Sequence, residues 1–167
     1  MIELIVLDVD GTMTDGQVVY SSEGEELKSF NIKDGMAIKA WNTYLKKQSA
    51  IITGRNSKIV KRRSDELSIH HLHQGQSEKG KVLKEIMRHM NIDKSNVAII
   101  GDDLNDLSML EFSSMSFCPA DAASEMKKRC DIVLNSNGGT GAVREMIEII
   151  LRDENRYDDF VGHWLKQ

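Results

Sequence analysis

Three stretches carry apolar residues almost without interruption: Leu4-Ile5-Val6-Leu7, Ser49-Ala50-Ile51-Ile52 and Val97-Ala98-Ile99-Ile100. Strands that show no polar alternation are covered on both faces, the usual state of a parallel sheet. Shorter candidates lie at 70–73, 115–118 and 132–134. Amphipathic stretches at 35–45, 56–67, 78–90, 104–112, 122–128 and 141–151 predict helices between them. Within 78–90, Val82, Leu83, Ile86, Met87 and Met90 recur at helical spacing and form one apolar face. Strand–helix alternation predicts an α/β fold built on a doubly wound, mostly parallel sheet with right-handed crossovers.

Two segments depart from that rhythm. Gln17–Tyr20 and Leu27–Phe30 flank the polar, glycine-containing stretch Ser21–Glu26, which predicts a β-hairpin over 17–30 between the first strand and the first helix. Near the end, Tyr157, Phe160, Val161, Trp164 and Leu165 follow the charged run Arg152-Asp153-Glu154. Their spacing predicts a C-terminal tail helix over 152–167, docked on the body or on a neighbour.

A length of 167 residues favours one domain spanning 1–167. A net charge of −4 excludes global attraction to nucleic acid or to anionic lipid, so an anionic substrate needs a local cluster of cations or a metal. The N-terminal apolar run is too short for a signal peptide, and nothing approaches the roughly 20 apolar residues of a membrane span. Cys118 and Cys130 form neither a C-x-x-C pair nor a disulfide framework. Together these features predict a cytoplasmic protein.

Ligands of open α/β sheets bind where the chain leaves the carboxyl ends of the strands. Here the three strongest strands end in Asp8-Val9-Asp10-Gly11-Thr12, in Thr53-Gly54-Arg55, and in Gly101-Asp102-Asp103-Leu104-Asn105-Asp106. Asp8 and Asp10 at i and i+2 share a face in extended chain, and Gly11 lets the backbone turn beside them. Carboxylates crowded at one edge repel one another, and oxygen-only ligands suit a hard ion such as Mg²⁺. Individually, Asp103 or Asn105 also suits a helix cap. Lys79 adds a cation in a polar loop that opens the 78–90 helix.

The order Asp-x-Asp-Gly-Thr, Thr-Gly, Lys, Gly-Asp-Asp-x-x-Asp over Asp8 to Asp106 resembles the haloacid dehalogenase superfamily of phosphohydrolases. A response-regulator receiver domain shares acidic residues, a Thr and a Lys, but places its acceptor Asp after the third strand. Here that strand ends at His73, with no such Asp. The resemblance implies Asp8 as nucleophile forming an aspartyl-phosphate, and Asp10 as general acid and then base. Mg²⁺ would be held by Asp8, the Asp10 carbonyl and Asp102, with Asp103 and Asp106 one layer behind. Thr53 and Lys79 would bind the phosphoryl oxygens, with Gly54 beside them.

No gap between these motifs has room for the cap domain that many superfamily members carry. The chain resembles one capless branch, the 3-deoxy-D-manno-octulosonate 8-phosphate phosphatases of lipopolysaccharide sugar biosynthesis. The resemblance rests on Thr14-Asp15-Gly16, Gly24-Glu25-Glu26-Leu27-Lys28, Asp34-Gly35, Gln74-Gly75-Gln76-Ser77 and Gly141-Ala142-Val143-Arg144-Glu145, besides the strand-end motifs. It implies a homotetramer whose hairpins help cover neighbouring sites, and Arg55 and Arg63 on the carboxylate of a small sugar-acid phosphate. Two alternatives are a phosphatase for nine-carbon, sialic-acid-like 9-phosphates and a non-catalytic oligomerisation module. The first tends to have Glu where Arg55 stands; the second would tolerate loss of Asp8, Asp10 or Lys79. His70, His71 and His73 lack the partners of a zinc site, and Gly138-Gly139-Thr140-Gly141 lacks the Lys-Ser/Thr of a P-loop.

Overall fold

A computed structural model of the chain describes residues 1–166. Strand β1 (Leu4–Leu7) leads into a hairpin of β2 (Val19–Tyr20) and β3 (Glu26–Leu27), then α1 (Ile32–Thr43) and β4 (Gln48–Ile52). They are followed by α2 (Lys58–Glu66), β5 (His71–His73), α3 (Lys79–Met90) and β6 (Val97–Ile100). A 3₁₀ segment (Leu104–Phe112), β7 (Met115–Cys118), α4 (Ser124–Arg129), β8 (Ile132–Val133), α5 (Ala142–Asp153) and α6 (Tyr157–Leu165) complete the chain. Six strands form one parallel sheet in the order β5-β4-β1-β6-β7-β8.

The uninterrupted apolar runs follow from the two-sided packing of this sheet. Along β1, Ile5 and Leu7 face one layer, with Ile38 and Trp41 of α1 and Met146, Ile147 and Ile150 of α5. The alternating Leu4 and Val6 face the other, with Leu83, Ile86 and Met87 of α3 and Met109. Strand β6 divides the same way, Ala98 and Ile100 against Val97 and Ile99. Every residue of both strands is therefore core, and each such Leu or Ile contributes about 1.5–3 kcal/mol on burial.

The chain runs from β1 outward through β4 to β5, then returns to β6 on the opposite side of β1. The switch point, where the polar loops diverge, lies beside β1. Loops after β4, β1 and β6 thus converge on one edge.

Local chemistry moved several boundaries. Helix α1 starts three residues ahead of the apolar pattern because the Asn31 side chain caps it, accepting from the N–H groups of Lys33 and Asp34. The stretch expected as an α-helix at 104–112 winds as 3₁₀ turns. Asp103 and Asp106 form a reciprocal capping box at its start, and the three-residue repeat points Asp106 and Met109 inward together. The hairpin lies within 17–30, but its ladder has only two residues per strand. The expected tail helix over 152–167 divides: Arg152 and Asp153 end α5, Asn155 turns left-handed at φ 55°, and α6 begins at Tyr157. Its last position, 167, lies outside the described residues. Both cysteines are free thiols, yet the fold brings their sulfurs to 3.2 Å, and burial pushes the Cys118 pKa up to about 12. On the edge strand, His71 Nε2 pairs with Gln48 Oε1 at 2.9 Å. Among the described residues, no helix is long and apolar enough to cross a membrane.

One buried acid makes stability depend on pH. The N-cap of α5, Gly141, offers no side chain; Asp34 of α1 supplies the acceptor instead, taking the Arg144 N–H at 2.8 Å. Burial raises the Asp34 pKa from 3.8 to about 6, against those backbone bonds and the charge of Arg63. The folded state therefore binds more protons than the unfolded chain between about pH 4 and 6, and stability falls as pH rises through that window. The expected swing is ~3 kcal/mol. An Asp34→Asn variant should gain that much on wild type between about pH 3.5 and 7.5 in chemical unfolding; a constant difference would refute it.

Candidate active site

Asp8 leaves the end of β1 with its N–H still held by the Ile100 carbonyl of β6, at 3.1 Å. Lys79, the first residue of α3, has a fully buried side chain that lies between two carboxylates. Its Nζ donates to Asp8 Oδ1 at 2.6 Å and to Asp106 Oδ1 at 2.7 Å. The second Asp106 oxygen accepts from the backbone N–H groups of Asp102 and Asp103, at 3.0 and 3.3 Å. Asp106 therefore ties the loop after β6 to Lys79, and Lys79 to the end of β1.

Asp102 stands against the turn after Asp8. The Thr12 hydroxyl donates to its Oδ1 at 3.3 Å, and its carboxylate presses on the Cα of Gly11. A Cβ on Gly11 would fall 2.1 Å from Asp102 Oδ2, and φ of +97° disfavours any side chain there. The turn is supported from below by the loop before α5. Gly139 N–H donates to the Thr12 carbonyl at 3.0 Å, and Gly138 N–H to Asp121 Oδ1 at 2.9 Å. A Cβ at Gly138 would strike the Gly11 carbonyl at 1.9 Å, so the two backbones approach this closely only because position 138 is glycine.

Oxygens of Asp8, Asp102 and Asp106 all lie within 4.8 Å of one another. Burial, then repulsion from Asp106, holds the Asp8 pKa well above the carboxylate range despite the pull of Lys79. Burial and Asp106 likewise raise Asp102 to about 6. Burial opposes charge on Lys79 too, but Asp8 and Asp106 outweigh it and raise its pKa. One ammonium thus pairs with two of three clustered carboxylates, and negative charge is left over. An all-oxygen donor set with surplus negative charge fits a hard divalent cation such as Mg²⁺.

The remaining expected residues separate into two groups. Thr53 is buried at the end of β4, its backbone fixed by the His73 carbonyl and the Gln76 N–H, both at 3.0 Å. Gly54 and Arg55 follow it into solvent. Arg55 donates to Glu26 Oε1 of the hairpin at 2.7 Å, and hydrogen bonds to Tyr20 and Glu26 raise its pKa. Asp10 is ion-paired with Lys28, also of the hairpin. Asp103 is exposed and caps the 3₁₀ segment, donating no side chain to the acidic group. Arg63 sits in the last turn of α2, where it reaches the Asn31 carbonyl and Glu66, both at 3.4 Å, and stacks over Phe30 at 5.5 Å. Its partners lie just ahead of α1 and on α2 rather than at the ends of the parallel strands. Sequence reading missed Lys28 and Glu26 as site neighbours, because a charged hairpin reads as solvated surface.

The haloacid dehalogenase-like hydrolase family matches residues 17–147 of the chain. The 3-deoxy-D-manno-octulosonate 8-phosphate phosphatase of Escherichia coli K12 is 40% identical over 161 residues, covering 96% of this chain and 85% of that protein. A crystal structure of the phosphatase of that name from Moraxella catarrhalis, in complex with magnesium ion, phosphate ion and KDO, superposes with a TM-score of 0.93. Its identity is 38%, over 98% of this chain and 93% of that one. The cobalt-bound form of the Haemophilus influenzae phosphatase gives a TM-score of 0.88 at 37% identity, over 94% and 91%. With its acidic strand ends, its buried lysine and this likeness over nearly its whole length, the chain belongs to the haloacid dehalogenase-like hydrolase family.

Proposed function

We propose that the protein is a Mg²⁺-dependent phosphatase that hydrolyses 3-deoxy-D-manno-octulosonate 8-phosphate to the free sugar acid and phosphate. The observation that carries this reading is the Asp8–Lys79–Asp106 chain beside Asp102, with an arginine at the mouth of the same strand edge. Relatives of that name and 40% identity support the substrate.

In this reading Asp8 attacks phosphorus while the bond to the sugar oxygen breaks, and Asp10 delivers the proton that the leaving alkoxide needs. Water then attacks the aspartyl-phosphate, Asp10 takes its proton, and phosphate leaves. Lys79 holds one oxygen of Asp8, which fixes the attacking rotamer; with Thr53 and Gly54 it also receives the phosphoryl oxygens. Asp8, the Asp10 carbonyl and Asp102 would hold Mg²⁺, with Asp106 and Asp103 bracing the loop behind. When bound, the ion offsets the repulsion between the Asp8 carboxylate and an anionic phosphate. Arg55 clamps the sugar-acid carboxylate; Arg63, held by Asn31 and Glu66, would join it only on leaving those partners. The Glu26 bond to Arg55 is an exposed ion pair, worth about 0–1 kcal/mol, so a substrate carboxylate readily replaces it.

The proposal extends to a single capless domain over 1–167 that works in the cytoplasm as a homotetramer. Its hairpin presents Val18, Val19, Tyr20 and Leu27 to solvent, and Ile32 follows at 83% exposure. Such a surface suits burial against copies whose hairpins complete one another's sites. A non-catalytic module would not need the intact Asp8, Asp10 and Lys79.

The test is phosphate release, with Mg²⁺ or with EDTA, from eight- and nine-carbon keto-sugar-acid phosphates and from hexose phosphates. The eight-carbon substrate should be turned over fastest, and only with Mg²⁺; preference for the nine-carbon compound would transfer the assignment to it. Arg55→Ala should lower kcat/KM for the sugar-acid phosphate about 10- to 100-fold, the loss of a charged hydrogen-bonded contact. p-Nitrophenyl phosphate, which has no carboxylate, should be much less affected. Equal losses on both would show that Arg55 does not read the sugar acid.

A further inference from the structure

The hairpin does more in this fold than present apolar surface. Its strand β3 carries Glu26, and Lys28 follows one residue beyond the ladder. The Lys28 side chain turns back onto its own subunit, is 3% exposed, and pairs with Asp10. Its ammonium also lies 3.4 Å from Glu26 Oε1, the oxygen that accepts from Arg55. Lys28 is thus a buried lysine away from the Asp8–Lys79 cluster, on an element that makes no other ionic contact with Asp10.

Burying an ammonium is costly unless it is paired, and this one is paired with the one carboxylate of the turn that Lys79 leaves alone. Asp10 is itself only partly shielded, its side chain 26% exposed. A short, partly exposed carboxylate on a turn can occupy more than one staggered rotamer, and proton transfer needs the one that brings it within hydrogen-bond reach of the leaving oxygen. A fixed ammonium on one of its oxygens selects the rotamer.

We infer that Lys28 is a positioning residue for the phosphatase reaction, holding the Asp10 carboxyl in the orientation from which it hands a proton to the leaving sugar oxygen. The inference rests on the general-acid reading of Asp10. It makes the hairpin part of the proton-transfer machinery of its own subunit, and Glu26 the link between that machinery and Arg55.

The leaving group provides the test. A sugar alkoxide is a poor leaving group that needs its proton; p-nitrophenolate departs without one. Because kcat/KM reports events up to departure of the leaving group, a misplaced Asp10 penalises sugar phosphates selectively. Lys28→Met keeps the length and apolar stem of the side chain. It should lower kcat/KM for a primary sugar phosphate by about tenfold or more, a part of the ~10²–10⁴ that general acid catalysis contributes, and that for p-nitrophenyl phosphate by much less. The ratio of the two values in one preparation cancels any loss of folded enzyme. An unchanged ratio, whether both values fall or neither does, overturns the role of Lys28. Asp10→Asn in the same assay separates this from the underlying reading: if it retains sugar-phosphate turnover, the role of Asp10 fails. If it is inactive while Lys28→Met keeps the wild-type ratio, only the inference about Lys28 falls.

Discussion

Asp8→Asn is expected to abolish phosphate release, by at least ~10⁴-fold, without lowering the stability of the magnesium-free protein. The amide is nearly isosteric and can still accept from Lys79, so the geometry around Nζ is kept. What disappears is the nucleophilic oxygen anion and one negative charge. That charge belongs to a group of three clustered carboxylates of which one ammonium pairs with two, and burial and repulsion already hold Asp8 well above its ordinary pKa. Removing it relieves repulsion, so the melting temperature in EDTA should be equal to or above wild type. Turnover above about one per cent of wild type would refute the nucleophile assignment. A clear drop in melting temperature would show that Asp8 is held as a stabilising charge, against the crowding argued here.

Lys79→Met is expected to damage both fold and activity. The ammonium is fully buried, and its removal leaves Asp8 and Asp106 facing each other with nothing between them. Breaking a buried pair from one side costs about 3–5 kcal/mol. The deficit should shrink as pH falls. Without Lys79, whose charge lowers the Asp8 pKa, the folded state takes up a proton on Asp8 more readily than wild type, so stability measured against wild type improves as pH falls. Activity should fall by about 10²–10³ or more, since the group that offsets charge on the phosphoryl oxygens has gone. Chemical unfolding at two pH values and phosphate release measure both effects. A variant as stable as wild type at neutral pH would mean that the cluster is neutralised some other way.

These two predictions rest on residues that the sequence already singled out, and the reason is geometric. Strands β1 and β6 are wholly buried, as is β4 beyond Gln48, so their apolar runs end sharply where the chain reaches the sheet edge. The next polar residues must line that edge. Asp8, Thr53 and Asp102 were legible on that ground, as was the fold. Lys79 was legible only through its order among the motifs, since a lysine opening a helix is usually solvated. Asp106 was placed one layer back by resemblance; that it binds Lys79 directly depends on the 3₁₀ winding of 104–112, which periodicity read as α-helix. Glu26 and Lys28 were legible only as part of the matched stretch Gly24–Lys28, with no role of their own. Their contacts are set by how a two-residue ladder folds over the site, and nothing in hydrophobic spacing encodes that. The division of the tail at Asn155 was equally hidden, because a left-handed residue leaves no mark in an amphipathic pattern.

The turn that carries Asp10 and Gly11 rests on Gly138 and Gly139, which stand almost at the other end of the chain. The floor of this turn is thus supplied by backbone that follows β8, far along the chain from β1. A fragment that stops at Asp106 would hold the acidic motifs, Thr53 and Lys79 while lacking the surface against which the turn after Asp8 packs.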